Sequence, residues 1–145
     1  MPPLSLYIHL PWCIKKCPYC DFNSHATNNA SFPEQAYIDA LVRDLDSAAP
    51  SLQGREIISI FIGGGTPSLF SAASLQQLLT AVRARLRLAL DVEITLEANP
   101  GTFEAERFHA YRQTGINRLS IGIQSFDDSK LSRLGRIHDA ARAID

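Results

Sequence analysis

The chain has 145 residues, 46% hydrophobic and 20% charged, with a formal net charge of −1, a balance that excludes a disordered or fibrous protein and offers no basic surface to nucleic acid. The N-terminal stretch MPPLSLYIHLPWC lacks a basic leader and a long apolar core, and no later run approaches the ~20 apolar residues that cross a bilayer. The cytoplasm is the expected location, with membrane association at most peripheral.

Residues 4–10, LSLYIHL, form a short apolar run that predicts a buried strand stopped by Pro11. All three cysteines come directly after it, as Cys13, Cys17 and Cys20. After a polar stretch, Ser31 and Glu34 have capping-box spacing ahead of Tyr37, Leu41, Leu45 and Ala48, which predicts a helix from about Pro33 to Ala49. EIISIFI at 56–62, closed by Gly63, Gly64 and Gly65, predicts a central strand covered on both faces. Ser71 is placed to cap a second helix with an apolar stripe of Leu75, Leu78, Leu79, Val82 and Leu86. DVEITLEANP predicts a strand ending at Glu97, TFEAERFHAYRQTG a helix with Gly115 just past its end, and INRLSIGIQSF another strand. A last helix is expected from near Asp127 to about Leu134.

Strands alternating with helices in this order imply an α/β fold with a parallel sheet and right-handed crossovers. About four βα units fit, roughly half of an eight-unit barrel of ~250 residues. The chain stops at AARAID, in what reads as a further helix without a closing strand, so it is expected to be the N-terminal fragment of a longer chain, with an unpaired sheet edge.

In a parallel βα array chemistry gathers at the carboxyl ends of the strands. Here those ends carry the cysteine loop, the glycine triplet with Thr66 and Pro67, Glu97 to Pro100, and Gln124 with Ser125. The glycines lack the lysine of a phosphate loop. What they permit is close approach of a ligand to bare backbone, although on their own they are better explained by a tight turn. The cysteines admit three readings. Cys17-Pro18-Tyr19-Cys20 matches a thiol–disulfide oxidoreductase dithiol, but no helix start comes after it and Cys13 is left over. A zinc site would recruit His9 or His25 as a fourth ligand. Three thiolates on one loop also suit three irons of a 4Fe-4S cluster whose fourth iron stays open.

C-x3-C-x2-C on the loop after the first strand resembles the signature of the radical S-adenosylmethionine (SAM) superfamily. LYIHLPWCIKKCPYCDFNSH, FIGGGTPSLF, ITLEANPGT, RLSIGIQSF and LGRIH resemble the branch that holds oxygen-independent coproporphyrinogen III oxidase and the HemW heme chaperones. The resemblance implies a partial (βα) radical-SAM barrel, residues 1–145 forming the N-terminal part of its core domain. It implies Cys13, Cys17 and Cys20 as ligands of a 4Fe-4S cluster, with SAM on the open iron. Tyr7 and Tyr19 would lie near the cofactors, Gly64, Gly65 and Thr66 in the SAM-contacting segment, and Glu97, Gln124 and Arg136 among the polar SAM ligands. The oxidase pattern has another cysteine two residues after the third, where this chain has Phe22. The resemblance therefore implies heme binding and delivery to an acceptor protein rather than decarboxylation of coproporphyrinogen, and it allows a homodimer. Heme-contacting residues are expected beyond Asp145. Trp12 reads as packing, His9 and His25 as hydrogen-bonded structure, and His109 as an exposed or satisfied side chain. His138 has a motif around it but no role that can be derived from the sequence.

Overall fold

A computed structural model describes residues 2–27, 31–100, 105–136 and 138–144. In chain order the elements are β1 (Leu4–Leu10), β2 (Trp12–Cys13), β3 (His25–Ala26), α1 (Glu34–Ala48), β4 (Ile57–Gly64), α2 (Ala72–Arg85), β5 (Leu88–Ala98), α3 (Ala105–Thr114), β6 (Arg118–Ile121), α4 (Asp128–Arg133) and α5 (Ala140–Ile144). Single 3-10 turns at Ala49–Leu52 and Pro67–Leu69 come after α1 and β4. β1, β4, β5 and β6 form one sheet in that order, every pair parallel. The α/β expectation with its parallel sheet therefore holds.

Because neighbours in the sheet are successive in the chain, crossovers of one hand put the intervening helices on a single face. Ile8, Leu10, Ile60, Ile62, Ile94 and Leu96 point into that face and form one core with Ile38 and Leu45 of α1, Leu75, Leu78, Leu79 and Val82 of α2, and Tyr111 of α3. This corrects the expectation of a β4 strand covered on both sides. Ile58 is exposed and Ser59 and Phe61 are half-buried between buried Ile57, Ile60 and Ile62. The second face is a polar wall instead. Ser5 Oγ and Ser59 Oγ are 2.7 Å apart, Thr95 Oγ1 donates to Glu93 at 3.3 Å, and Arg118 donates to Thr95 at 3.2 Å.

Element ends differ from expectation where tertiary contacts intervene. The Ser31–Glu34 capping box does not form, since α1 has Pro33 at its cap with no side-chain bond. Glu34 Oε1 instead accepts the Ser71 N–H at 2.6 Å, tying the start of α1 to the start of α2. Ser71 caps α2 as expected, its Oγ accepting the Ser74 N–H at 3.1 Å. β5 begins at Leu88, ahead of the expected Asp91, and β6 stops at Ile121 rather than running on to Phe126. The expected start of the third helix, Thr102 to Glu104, lies outside the described residues. Trp12 is packing, as expected: its ring stacks on Phe32 at 5.1 Å and meets the edge of Tyr37 at 4.6 Å.

Candidate functional site

β1 delivers the chain to the rim, and Pro11 turns it out of the sheet. The ends of the cysteine loop are then clipped together by β2 and β3, which pair Trp12 with His25 and Cys13 with Ala26. The His25 N–H bonds Pro11 O and the Thr27 N–H bonds Cys13 O, both at 2.8 Å. Inside the loop, Lys16 Nζ donates to the Phe22 carbonyl at 3.1 Å, and Cys20 N–H closes a turn on Cys17 O at 3.0 Å. Ser24, buried, stands 3.8 Å from Cys20 Sγ. The lysine thus satisfies carbonyls that a loop of this length would otherwise turn to water.

All three cysteines are free thiols, Cys13 buried and the other two half-buried. Burial pushes the Cys13 thiol up, partly opposed by hydrogen bonds with Thr66 and Ser24. No helix starts after Cys20, residues 21–24 being irregular, so the thiol-lowering helix N-terminus of a dithiol oxidoreductase is missing there. Among the described residues no three His, Cys, Asp or Glu side chains close on a single metal position. His9 is engaged at both ring nitrogens, with Tyr7 Oη at 3.0 Å and Asn23 O at 2.7 Å, which is the structural role expected of it. In the metal-free reduced protein, iodoacetamide is expected to modify Cys13 about tenfold more slowly than Cys17 or Cys20 by peptide mapping. Cys13 reacting first would contradict its burial.

The glycine triplet serves the fold before it serves a ligand. A Cβ on Gly65 would lie 2.6 Å from both Pro11 O and Trp12 O and 2.8 Å from Cys13 Sγ. One on Gly64, whose φ is +127°, would lie 2.7 Å from Leu10 O. The bare backbone of β4 is therefore what lets the cysteine loop lie down on it. Its N–H groups are taken as well: Gly64 N–H by Glu97 Oε2 at 3.1 Å, Gly65 N–H by Leu10 O at 2.9 Å and Thr66 N–H by Trp12 O at 2.7 Å.

β5 contributes Glu97 and, just past its end, Asn99. The Asn99 amide donates to Thr66 Oγ1 at 3.1 Å and its carbonyl accepts Arg136 Nη2 at 2.7 Å. Arg136 reaches in from beyond α4. Nη2 also bonds Gly122 O at 2.7 Å, while Nη1 stands 3.4 Å from both Cys17 Sγ and Tyr19 Oη. Its Nε is buried and unpaired among the described residues. Gln124 turns inward from a left-handed backbone, φ +72°.

These groups enclose one cleft of about 290 Å³, lined by Cys13, Cys17, Cys20, Tyr19, Gly64, Gly65, Thr66, Glu97, Gln124 and Arg136. Of the site residues expected from the sequence, Tyr7 alone does not line it. It lies one step down the polar wall, stacked on Phe61 at 6.3 Å, and its hydroxyl is raised by burial and by the Glu97 carboxylate. Asn99, Ser120 and Phe22 join the lining. Asn99 was signalled only by its place on a strand-end rim, whereas nothing in the spacing of Lys16 or Ser24 marked them as supports of the loop.

Residues 7–145 match the radical SAM superfamily. The chain is 60% identical over 143 residues to heme chaperone HemW of Escherichia coli K12, covering 99% of this chain and 38% of that protein. It is 59% identical to HemW of Haemophilus influenzae over 99% of this chain and 38% of that one. Against the mitochondrial radical S-adenosyl methionine domain-containing protein 1 of Bos taurus it is 41% identical, over 97% of this chain and 31% of the relative. The solved coproporphyrinogen III oxidase HemN of Escherichia coli, a radical SAM enzyme, superposes with a TM-score of 0.87 at 33% identity, covering 97% of this chain and 32% of that one. The chain thus spans 38% of the length of the HemW relatives.

Proposed function

Since the chain belongs to the radical SAM superfamily, its sheet being part of that fold, we propose that the cleft holds a 4Fe-4S cluster and SAM and that the full protein is a heme chaperone. The donor set suits the cluster. Three free thiols on one loop open into one cleft, and soft thiolates are the ligands such clusters take. Cys13, Cys17 and Cys20 would each serve a different iron, leaving the fourth iron for SAM. When bound and reduced, the cluster supplies a single electron to the SAM sulfonium.

The remaining lining suits SAM. With the N–H groups of Gly64, Gly65 and Thr66 already engaged and Thr66 O accepting the Leu69 N–H at 3.0 Å, the carbonyls of Gly64 and Gly65 would be what this segment offers an ammonium group. The Arg136 guanidinium supplies a fixed positive charge for a carboxylate. Glu97 spends one oxygen on Gly64, and a carboxylate retains further acceptor sites for ribose hydroxyls. Gln124 offers an amide that both donates and accepts. Asn99, bonded to Thr66 and Arg136 at once, holds the ends of β4 and β5 in register with the arginine.

The cysteine loop carries the choice of heme chaperone over oxidase. Phe22 stands where the oxidase pattern has a cysteine; it is 62% exposed and lines the cleft. The 60% identity to a HemW protein, against 33% to the HemN structure, supports the same reading. The full-length protein, reconstituted anaerobically, is expected to bind heme in an absorbance titration and pass it to an acceptor protein, while leaving coproporphyrinogen unchanged under reducing conditions. Conversion of coproporphyrinogen would make it an oxidase.

A further inference from the structure

Of the LGRIH segment, Arg136 reaches the Cys17 thiol, while His138 is 4% exposed and does not line the cleft. His138 Nε2 lies 3.0 Å from the carbonyl oxygen of Ile123. A carbonyl only accepts, so Nε2 is the donor in this bond. Nδ1 is buried and has no hydrogen-bond partner among the described residues. A side chain needed only to fill space would do so at lower cost without an orphaned nitrogen. The bond to Ile123 is what distinguishes a histidine here.

The residue after Ile123 gives that bond its importance. Gln124, at φ +72°, occupies the left-handed region that residues other than glycine, asparagine and aspartate seldom adopt. It persists only where surroundings over-determine it. The sheet gives limited support, since β6 ends at Ile121 and the last ladder bond is Gly122 N–H to Ala98 O at 2.9 Å. Past that point two consecutive carbonyls are captured from the LGRIH segment: Gly122 O by Arg136 Nη2 at 2.7 Å and Ile123 O by His138 Nε2 at 3.0 Å. Residues 136 and 138 thus staple 122 and 123 immediately before the residue that turns into the cleft.

We propose that His138 is a positioning residue: by holding the Ile123 carbonyl it fixes the left-handed Gln124 and thereby sets the affinity of the cleft for SAM. This rests on the proposed function, in which Gln124 meets SAM, and His138 itself touches neither cofactor.

The test is SAM binding by calorimetry on the full chain with its cluster reconstituted, beside iron and sulfide content and a thermal melt. His138→Phe is expected to weaken SAM about tenfold, ~1.4 kcal/mol, with cluster content unchanged. His138→Gln, whose amide N–H is as many bonds from Cβ as the imidazole Nε2–H, restores wild-type affinity, and the shorter His138→Asn does not. In a Gln124→Ala background, His138→Phe has no further effect, because both act through one side chain. If His138→Phe fails to fold, the Gln and Asn variants decide alone. Wild-type affinity in both Phe and Asn variants, or losses in the double variant that multiply independently, would overturn the role. A wild-type protein that loads its cluster but binds no SAM would overturn the proposed function, and this role with it.

Discussion

Cys13→Ser is expected to abolish cluster assembly: anaerobic reconstitution that gives about four iron and four sulfide per wild-type chain should give almost none in the variant. The hydroxyl is smaller than the thiol and would have the polar side chains of Thr66 and Ser24 beside it, so the fold should survive and the loss would report ligation alone. Cys17→Ser and Cys20→Ser are expected to behave alike. A dithiol oxidoreductase would instead keep its chemistry in Cys13→Ser and lose it in the other two. Full iron content in the variant, measured beside electron paramagnetic resonance of the reduced protein, would remove Cys13 from the ligand set.

Gly65→Ala is expected to be strongly destabilising although it adds a single methyl. The added carbon would sit 2.6 Å from two backbone oxygens, Pro11 O and Trp12 O, and 2.8 Å from Cys13 Sγ. Backbone oxygens cannot rotate aside as a flexible side chain can, so the loop must lift from β4. Overpacking of this kind costs about 3 kcal/mol, which for a domain of this size lowers the melting temperature by roughly 6–12 °C. Cluster loading should fall as well, since Cys13 moves with the loop. Gly54→Ala is the control: at φ +69° with nothing within 4 Å of the added carbon, it carries only the left-handed strain of about 1 kcal/mol. Equal effects of the two substitutions on melting would refute the crowding at Gly65.

The βα order and the rim were legible because they rest on local signals. β1 spans Leu4–Leu10, the apolar run ahead of Pro11, and the thiols, Glu97 and Gln124 gather at strand ends as parallel topology requires. What escaped the sequence depends on partners far along the chain. The capping box at Ser31 and Glu34 has the correct spacing, yet the Glu34 carboxylate goes to Ser71, 37 residues away. The glycine triplet read as a tight turn that would also permit close approach of a ligand; Gly64 and Gly65 do line the cleft, but the carbonyls and the Cys13 thiol that crowd them come from a segment about 50 residues earlier. Tyr7 faces the polar wall because side chains alternate along β1, and the identity of its neighbours across the sheet is set by register. Arg136 meets Cys17 across 119 residues, a pairing that no local pattern encodes.

The polar wall beneath the rim separates regions that many sites must build from the same residues. Packing resides in the helix-covered face, the three thiols in the loop above, and Ser5, Ser59, Phe61, Glu93 and Arg118 on the wall between. Exchange at such positions usually changes stability by no more than about 0.5 kcal/mol when exposed. The exposed wall residues Ser5, Glu93 and Arg118 can therefore be exchanged while the thiol loop and its glycine bed stay as they are.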